Sequence, residues 1–108
     1  MDTLPQYLAI FEIVLLIPEG RVCSYGVIAR YSGPGITARI VGRAMSASHN
    51  IKDLPAHRVV NSQGRLTGKM HFETPTRMQE LLLAEGVLVK NDKIVNFEQH
   101  FWSPEELI

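Results

Sequence analysis

Two helix-breaking clusters, Pro18-Glu19-Gly20 and Ser32-Gly33-Pro34-Gly35, do most to limit the folds open to this chain. Proline lacks a backbone donor and glycine favours conformations closed to other residues, so neither cluster belongs inside a helix. They divide the chain up to Ser46 into three helical stretches. Asp2 or Thr3 followed by Pro5 starts the first, because a polar cap takes up orphan amides and proline tolerates the first turn. Leu8, Ile10, Phe11 and the run Ile13 to Ile17 cover most of its circumference, which predicts a largely buried core helix. Ser24 caps a second helix, Tyr25 to Tyr31, and a third runs from about Thr37 to Ser46. On the third, Ile40, Val41, Ala44 and Met45 form an apolar stripe while Arg39 and Arg43, four apart, share the other face. Two short helices across a glycine-containing turn, the second bearing paired arginines, are the pattern of a helix-turn-helix with its recognition helix.

Shorter elements follow. Arg58-Val59-Val60 reads as a strand and Asn61-Ser62-Gln63-Gly64 as a turn into Arg65-Leu66, together a β-wing. Thr74-Pro75 starts a helix carrying Met78, Leu81, Leu82 and Glu85, which Gly86 ends. Val87 to Val89 and Ile94-Val95 flank Asn91-Asp92 as a small hairpin. Phe97, Phe101 and Trp102 are too apolar to hang in water, so the tail is expected to pack back. The expected fold is mainly α with a small β-wing, a winged helix-turn-helix DNA-binding domain. With 108 residues, 45% of them apolar, one core is within reach and a second independent one is not. A single domain over 1–108 is therefore expected, with 91–108 a C-terminal extension packed on it.

Charge is uneven. Net charge is zero, yet from Arg21 to Arg77 nine basic residues face only two acidic ones, Asp53 and Glu73, a local net of +7. A basic middle between acidic flanks can present one positive face to phosphates. No apolar run is long enough to span a membrane, and Leu8 to Ile17, interrupted by Glu12, lacks the basic residues that precede a signal peptide's apolar region. A cytoplasmic protein is expected, nucleoid-associated in a bacterium. Cys23, the single cysteine, rules out an internal disulfide and a cysteine-rich zinc site; no metal and no cofactor are expected.

Three stretches carry the chemistry: Cys23-Ser24-Tyr25, then Ala38-Arg39-Ile40-Val41-Gly42-Arg43-Ala44-Met45, then Pro55-Ala56-His57-Arg58-Val59-Val60. In this order and spacing they resemble the C-terminal domain of O6-alkylguanine-DNA alkyltransferases, over about Gly20 to Gly86. That family transfers an alkyl group from guanine to a cysteine between the proline and histidine of a Pro-Cys-His-Arg-Val motif. Here Ala56 stands in that slot, which resembles the alkyltransferase-like proteins. A methyl group has no lone pair, so covalent transfer at this position is removed and no catalytic residue is expected.

The resemblance implies roles residue by residue. Arg39 matches the arginine that enters the stack and fills the hole left by a flipped nucleotide, work suited to a planar, permanently charged group. Tyr25 matches the tyrosine that rotates the phosphate 3′ of the target and helps close the pocket. Ala38 and Gly42, with Ala44, are small enough for the helix to approach the minor groove closely, and Arg43 is expected on the same DNA face. The expected lesion pocket comprises Tyr25, Ala56, His57, Arg58, Lys69 and Trp102. Lys69 lies in the loop Gly64 to Met70, which matches the lid over the base. His57, the activating base in the enzymes, and Glu85, in Leu82-Leu83-Ala84-Glu85-Gly86, are expected to form a structural polar pair. Ser48 stands where the enzymes keep an asparagine, and Cys23 reads as a small buried hydrophobe.

The implied function is a non-enzymatic sensor, a monomer, that binds O6-alkylguanine in double-stranded DNA by nucleotide flipping and channels it to nucleotide excision repair proteins. Two alternatives remain at this level: a winged-helix transcriptional regulator reading the major groove, and an active transferase using Cys23 or His57.

Overall fold

Thr3 begins the first helix with a reciprocal cap. Its hydroxyl accepts from the Gln6 amide and the Gln6 side chain accepts from the Thr3 amide, which satisfies two donors that a helix start leaves orphaned. The computed structural model, which describes residues 2–108, places α1 at Leu4–Leu16, β1 at Cys23–Ser24, α2 at Tyr25–Ser32 and α3 at Ala38–Ser46. β2 (Val59–Val60), α4 (Arg77–Ala84), β3 (Val89–Lys90), β4 (Lys93–Ile94) and α5 (Phe97–His100) follow. Ser24 and Thr37 cap α2 and α3 by accepting from the amides of Val27 and Ile40. The turn between those helices runs through Gly33 and Gly35, both at positive φ where a side chain is strained. α2 and α3 pack on each other and on α1, the mainly helical, helix-turn-helix arrangement that the breaks predict.

α1 is less buried than its composition suggests. Ile10, Val14 and Ile17 enter the core, whereas Leu4, Leu8, Leu15 and Leu16 are all roughly half exposed or more. The packed pair α2 and α3 covers only one side of α1, and an apolar outer face does not by itself bring a partner.

The small strands pair differently from the expected wing. β1 and β2 run parallel, with Cys23 opposite Val59 and Ser24 opposite Val60. Side chains alternate along a strand: Cys23 and Val59 enter one cluster with Ile10, Ile28 and Val41, while Val22 and Val60 enter another with Leu66, Met78 and Leu82. The core is thus divided by a strand pair that feeds both halves, which a peripheral hairpin of Val59-Val60 would not allow. Arg65 instead bridges antiparallel to Lys93, and the Asn61 side chain closes the intervening turn by accepting from the amides of Gln63 and Arg65.

α4 starts at Arg77, later than Thr74-Pro75 predicts, and the loop before it stays irregular. The β3–β4 hairpin turns through Asn91 and Asp92, both left-handed, as the sequence predicts. The tail runs back beside β1: the Trp102 amide donates to the Val22 carbonyl over 2.7 Å, and the indole is 2% exposed within the first cluster. Arg21 clamps this return, its Nε donating to the His100 carbonyl over 3.1 Å and its Nη2 to that of Phe101. Among the described residues no helix is long and apolar enough to cross a membrane.

Candidate nucleic-acid interface

Tyr25 directly follows β1, and Ala56 opens the 3-10 turn that leads into β2. The parallel pairing of these strands therefore brings two residues distant in sequence to one place. α3 presents Ala38, Arg39 and Gly42 to the same space, and the five residues line a cavity of about 390 Å³. That volume falls in the range of small-molecule sites, roughly 300–1,000 Å³.

A loop closes one side. Gly68 lies so near Tyr25 that a Cβ there would sit 3.0 Å from the phenol oxygen, so glycine is what lets the loop approach. The Thr67 hydroxyl donates to the Tyr25 oxygen over 3.5 Å. Met45, Val59 and Met78 add apolar surface, and His71 and Phe72 add rings. His71 and Phe72 come just past the expected lid, and extending that stretch by two residues would have found them. Arg39 is exposed at the cavity rim, and no ion pair among the described residues engages it.

Five residues expected at the pocket or on the DNA face are occupied elsewhere. Trp102 is a core residue, since its ring is worth most when fully buried and its backbone is tied to Val22. Lys69 forms an ion pair with Asp92 in the β3–β4 turn and does not line the cavity. Arg43 donates to both oxygens of Asp2, with Nη2–Oδ1 at 2.9 Å. Asp2 also accepts from the Tyr7 hydroxyl over 3.1 Å, and the Arg43 hydrogen bond holds its carboxyl at about 2. His57 and Arg58 turn away from the cavity toward Glu85.

That turn builds a polar hub larger than a pair. Glu85 accepts from His57 Nε2 at 2.7 Å, from Arg58 Nη2 at 2.7 Å and from the Gly20 amide at 3.0 Å. Arg58 Nη1 also donates to the Ile17 carbonyl at the end of α1, over 2.8 Å. Burial alone would raise the Glu85 carboxyl, but Arg58, the Gly20 amide and His57 outweigh it and hold it at about 2. Burial pushes His57 below its ordinary value although Glu85 opposes that, so a neutral ring places its proton on Nε2 against the carboxylate. The hub fastens the loop containing Ala56 to α1 and α4. Ser48, buried, donates its hydroxyl to the Met45 carbonyl over 2.6 Å and finishes α3.

Cys23 has no path to chemistry here. Its side chain is fully buried, and burial pushes the thiol up to about 12, far from the thiolate a nucleophile requires.

The chain matches, over residues 5–87, the family model described as the DNA-binding domain of 6-O-methylguanine DNA methyltransferase. It is 34% identical to alkyltransferase-like protein 1 of Schizosaccharomyces pombe over 102 residues, covering 91% of this chain and 94% of that protein. To the DNA base-flipping protein of Escherichia coli it is 36% identical over 102 residues, covering 94% of this chain and 76% of the other. Its structure superposes on that of S. pombe Atl1 in complex with damaged DNA containing O6-carboxymethylguanine with a TM-score of 0.83 and 33% identity, covering 96% of this chain and all of that one.

Proposed function

The chain belongs to the alkyltransferase-like family, which shares the DNA-binding domain of the 6-O-methylguanine DNA methyltransferases, and we propose on that premise that it is a non-enzymatic sensor of O6-alkylguanine in duplex DNA. The observation that carries this reading is Ala56 on the wall of a base-sized cavity beside Tyr25 and Arg39. The extruded guanine enters the cavity, Tyr25 and Phe72 pack against it, and Arg39 takes its place in the stack. Extrusion costs a few kcal/mol, and an alkylated guanine, which pairs poorly, is cheaper to extrude than an intact one. Discrimination begins in that difference.

His57 does no proton transfer here. Its Nε2 proton is committed to Glu85, and no acidic group at Ala56 calls for a base. Capture without chemistry leaves the lesion in place, so another reaction must remove it. We assign that step to nucleotide excision repair proteins, recruited by a monomer seated on the DNA. The relatives support the first half of this account: one is named for base flipping, and another is seen bound to damaged DNA.

The test compares binding to a duplex bearing one O6-methylguanine with binding to its undamaged twin. The native chain should prefer the lesion whatever the flanking bases, and Arg39→Ala should lose most of that preference, tenfold or more on the scale of about 1–3 kcal/mol for a specific contact. Preference for a particular undamaged sequence would favour a transcriptional regulator. A lasting gain of mass on the protein after incubation with the lesion would restore the transferase.

A further inference from the structure

A second cavity, of about 140 Å³, shares Met45, Ala56, His71 and Phe72 with the first. At Ala56 the shared wall is a single methyl group, and at Met45 it is a thioether chain that changes shape at little cost. Ser48, His49 and Glu73 are among the residues on its far side. The second cavity opens to solvent at His49, His71 and Glu73, all exposed, and has room for a chain of several heavy atoms, since a cavity of roughly 150 Å³ holds a benzene ring.

Its polar groups are not equally free. The Ser48 hydroxyl has given its one proton to the Met45 carbonyl and can only accept, and Glu73 lies 3.6 Å from Arg77. The imidazoles of His49 and His71 remain, with ring centroids 5.9 Å apart and planes tilted by 45°. A neutral imidazole offers one donor and one acceptor. His71 lines both cavities, whereas His49 lines only the smaller.

We propose that the two cavities form one bipartite lesion site, in which the base fills the larger and the far end of a long O6 substituent passes Ala56 into the smaller, with hydroxyl-ended chains preferred over plain alkyl chains. This rests on the base-flipping reading above. A hydroxyl donates and accepts at once, which matches two imidazoles. A purely alkyl end of the same size covers the rings without pairing them, which carries a cost.

Isosteric pairs test it: binding by fluorescence anisotropy to short duplexes carrying O6-(2-hydroxyethyl)guanine against O6-propylguanine, and O6-(4-hydroxybutyl)guanine against O6-pentylguanine. The hydroxyl member of at least the longer pair should bind tighter by roughly threefold to tenfold, the worth of one or two neutral hydrogen bonds. His49→Leu should abolish that difference while the O6-methylguanine duplex, whose substituent is too short to reach the second cavity, is bound as before. Equal binding within both pairs overturns the proposal, as does a hydroxyl preference that survives His49→Leu. Indifference to O6-methylguanine itself would bring down the base-flipping reading, and the bipartite site with it.

Discussion

Glu85 gathers three donors from two distant segments, and its charge is what makes the gathering possible. In Glu85→Gln the shape survives but Arg58, largely buried, loses its counter-charge. We expect a loss of about 2–4 kcal/mol of stability, read from urea unfolding. The same carboxylate sets an acid limit. It loses its proton at about 2 in the folded protein against an ordinary 4.5, so between those values the unfolded chain binds more protons than the folded one. Its contribution is complete above 4.5 and is lost as pH falls toward 2. His57, whose proton affinity is also lowered on folding, from an ordinary 6.5, acts in the same sense and begins earlier, as pH drops below 6.5. The denaturation midpoint should therefore decline steadily from pH 7 to pH 3, and Glu85→Gln should flatten the lower part of that decline. An acid profile unchanged by the variant would remove Glu85 from this account.

α3 is the element on which binding and stability pull apart. Gly42 sits inside it with nothing within 4 Å of where a Cβ would stand, so Gly42→Ala should stabilise the free protein by roughly 0.5–1 kcal/mol. The added methyl also faces the cavity wall, so the variant should bind lesion DNA severalfold more weakly; thermal melting and anisotropy on one sample check both signs, and undiminished affinity would detach this face from DNA. The helices were legible because caps and breakers act within a few residues: Ser24, Thr37, Gly33 and Gly86 each mark a boundary by local geometry. The strand pair was not, since Cys23 opposite Val59 is a contact across a long loop and neither stretch alternates long enough to announce itself. At the site, the residues that matched a motif and carried no competing partner, Tyr25, Ala38, Arg39, Gly42 and Ala56, line the cavity. Lys69, Arg43 and Trp102 went elsewhere because Asp92, Asp2 and Val22 claim them, and such distant partners leave no local mark in sequence.

At the scale of the molecule, zero net charge conceals a basic middle that is partly neutralised by its own acidic flank. Asp2 occupying Arg43 is the clearest instance. A phosphate must displace that carboxylate to reach Arg43, so Asp2→Asn should raise affinity for undamaged DNA and steepen the slope of log affinity against log salt by about one. An unaltered slope would show that Arg43 meets no phosphate. The tail has a different kind of reach. Trp102 fills the cluster that supports α2 and α3 and is pinned to Val22, 80 residues earlier. A ribosome must therefore deliver residue 102 before the helices that line the cavity have a finished floor to rest on. Until then the nascent polypeptide holds every residue that lines the cavity but lacks the ring that completes the cluster beneath it.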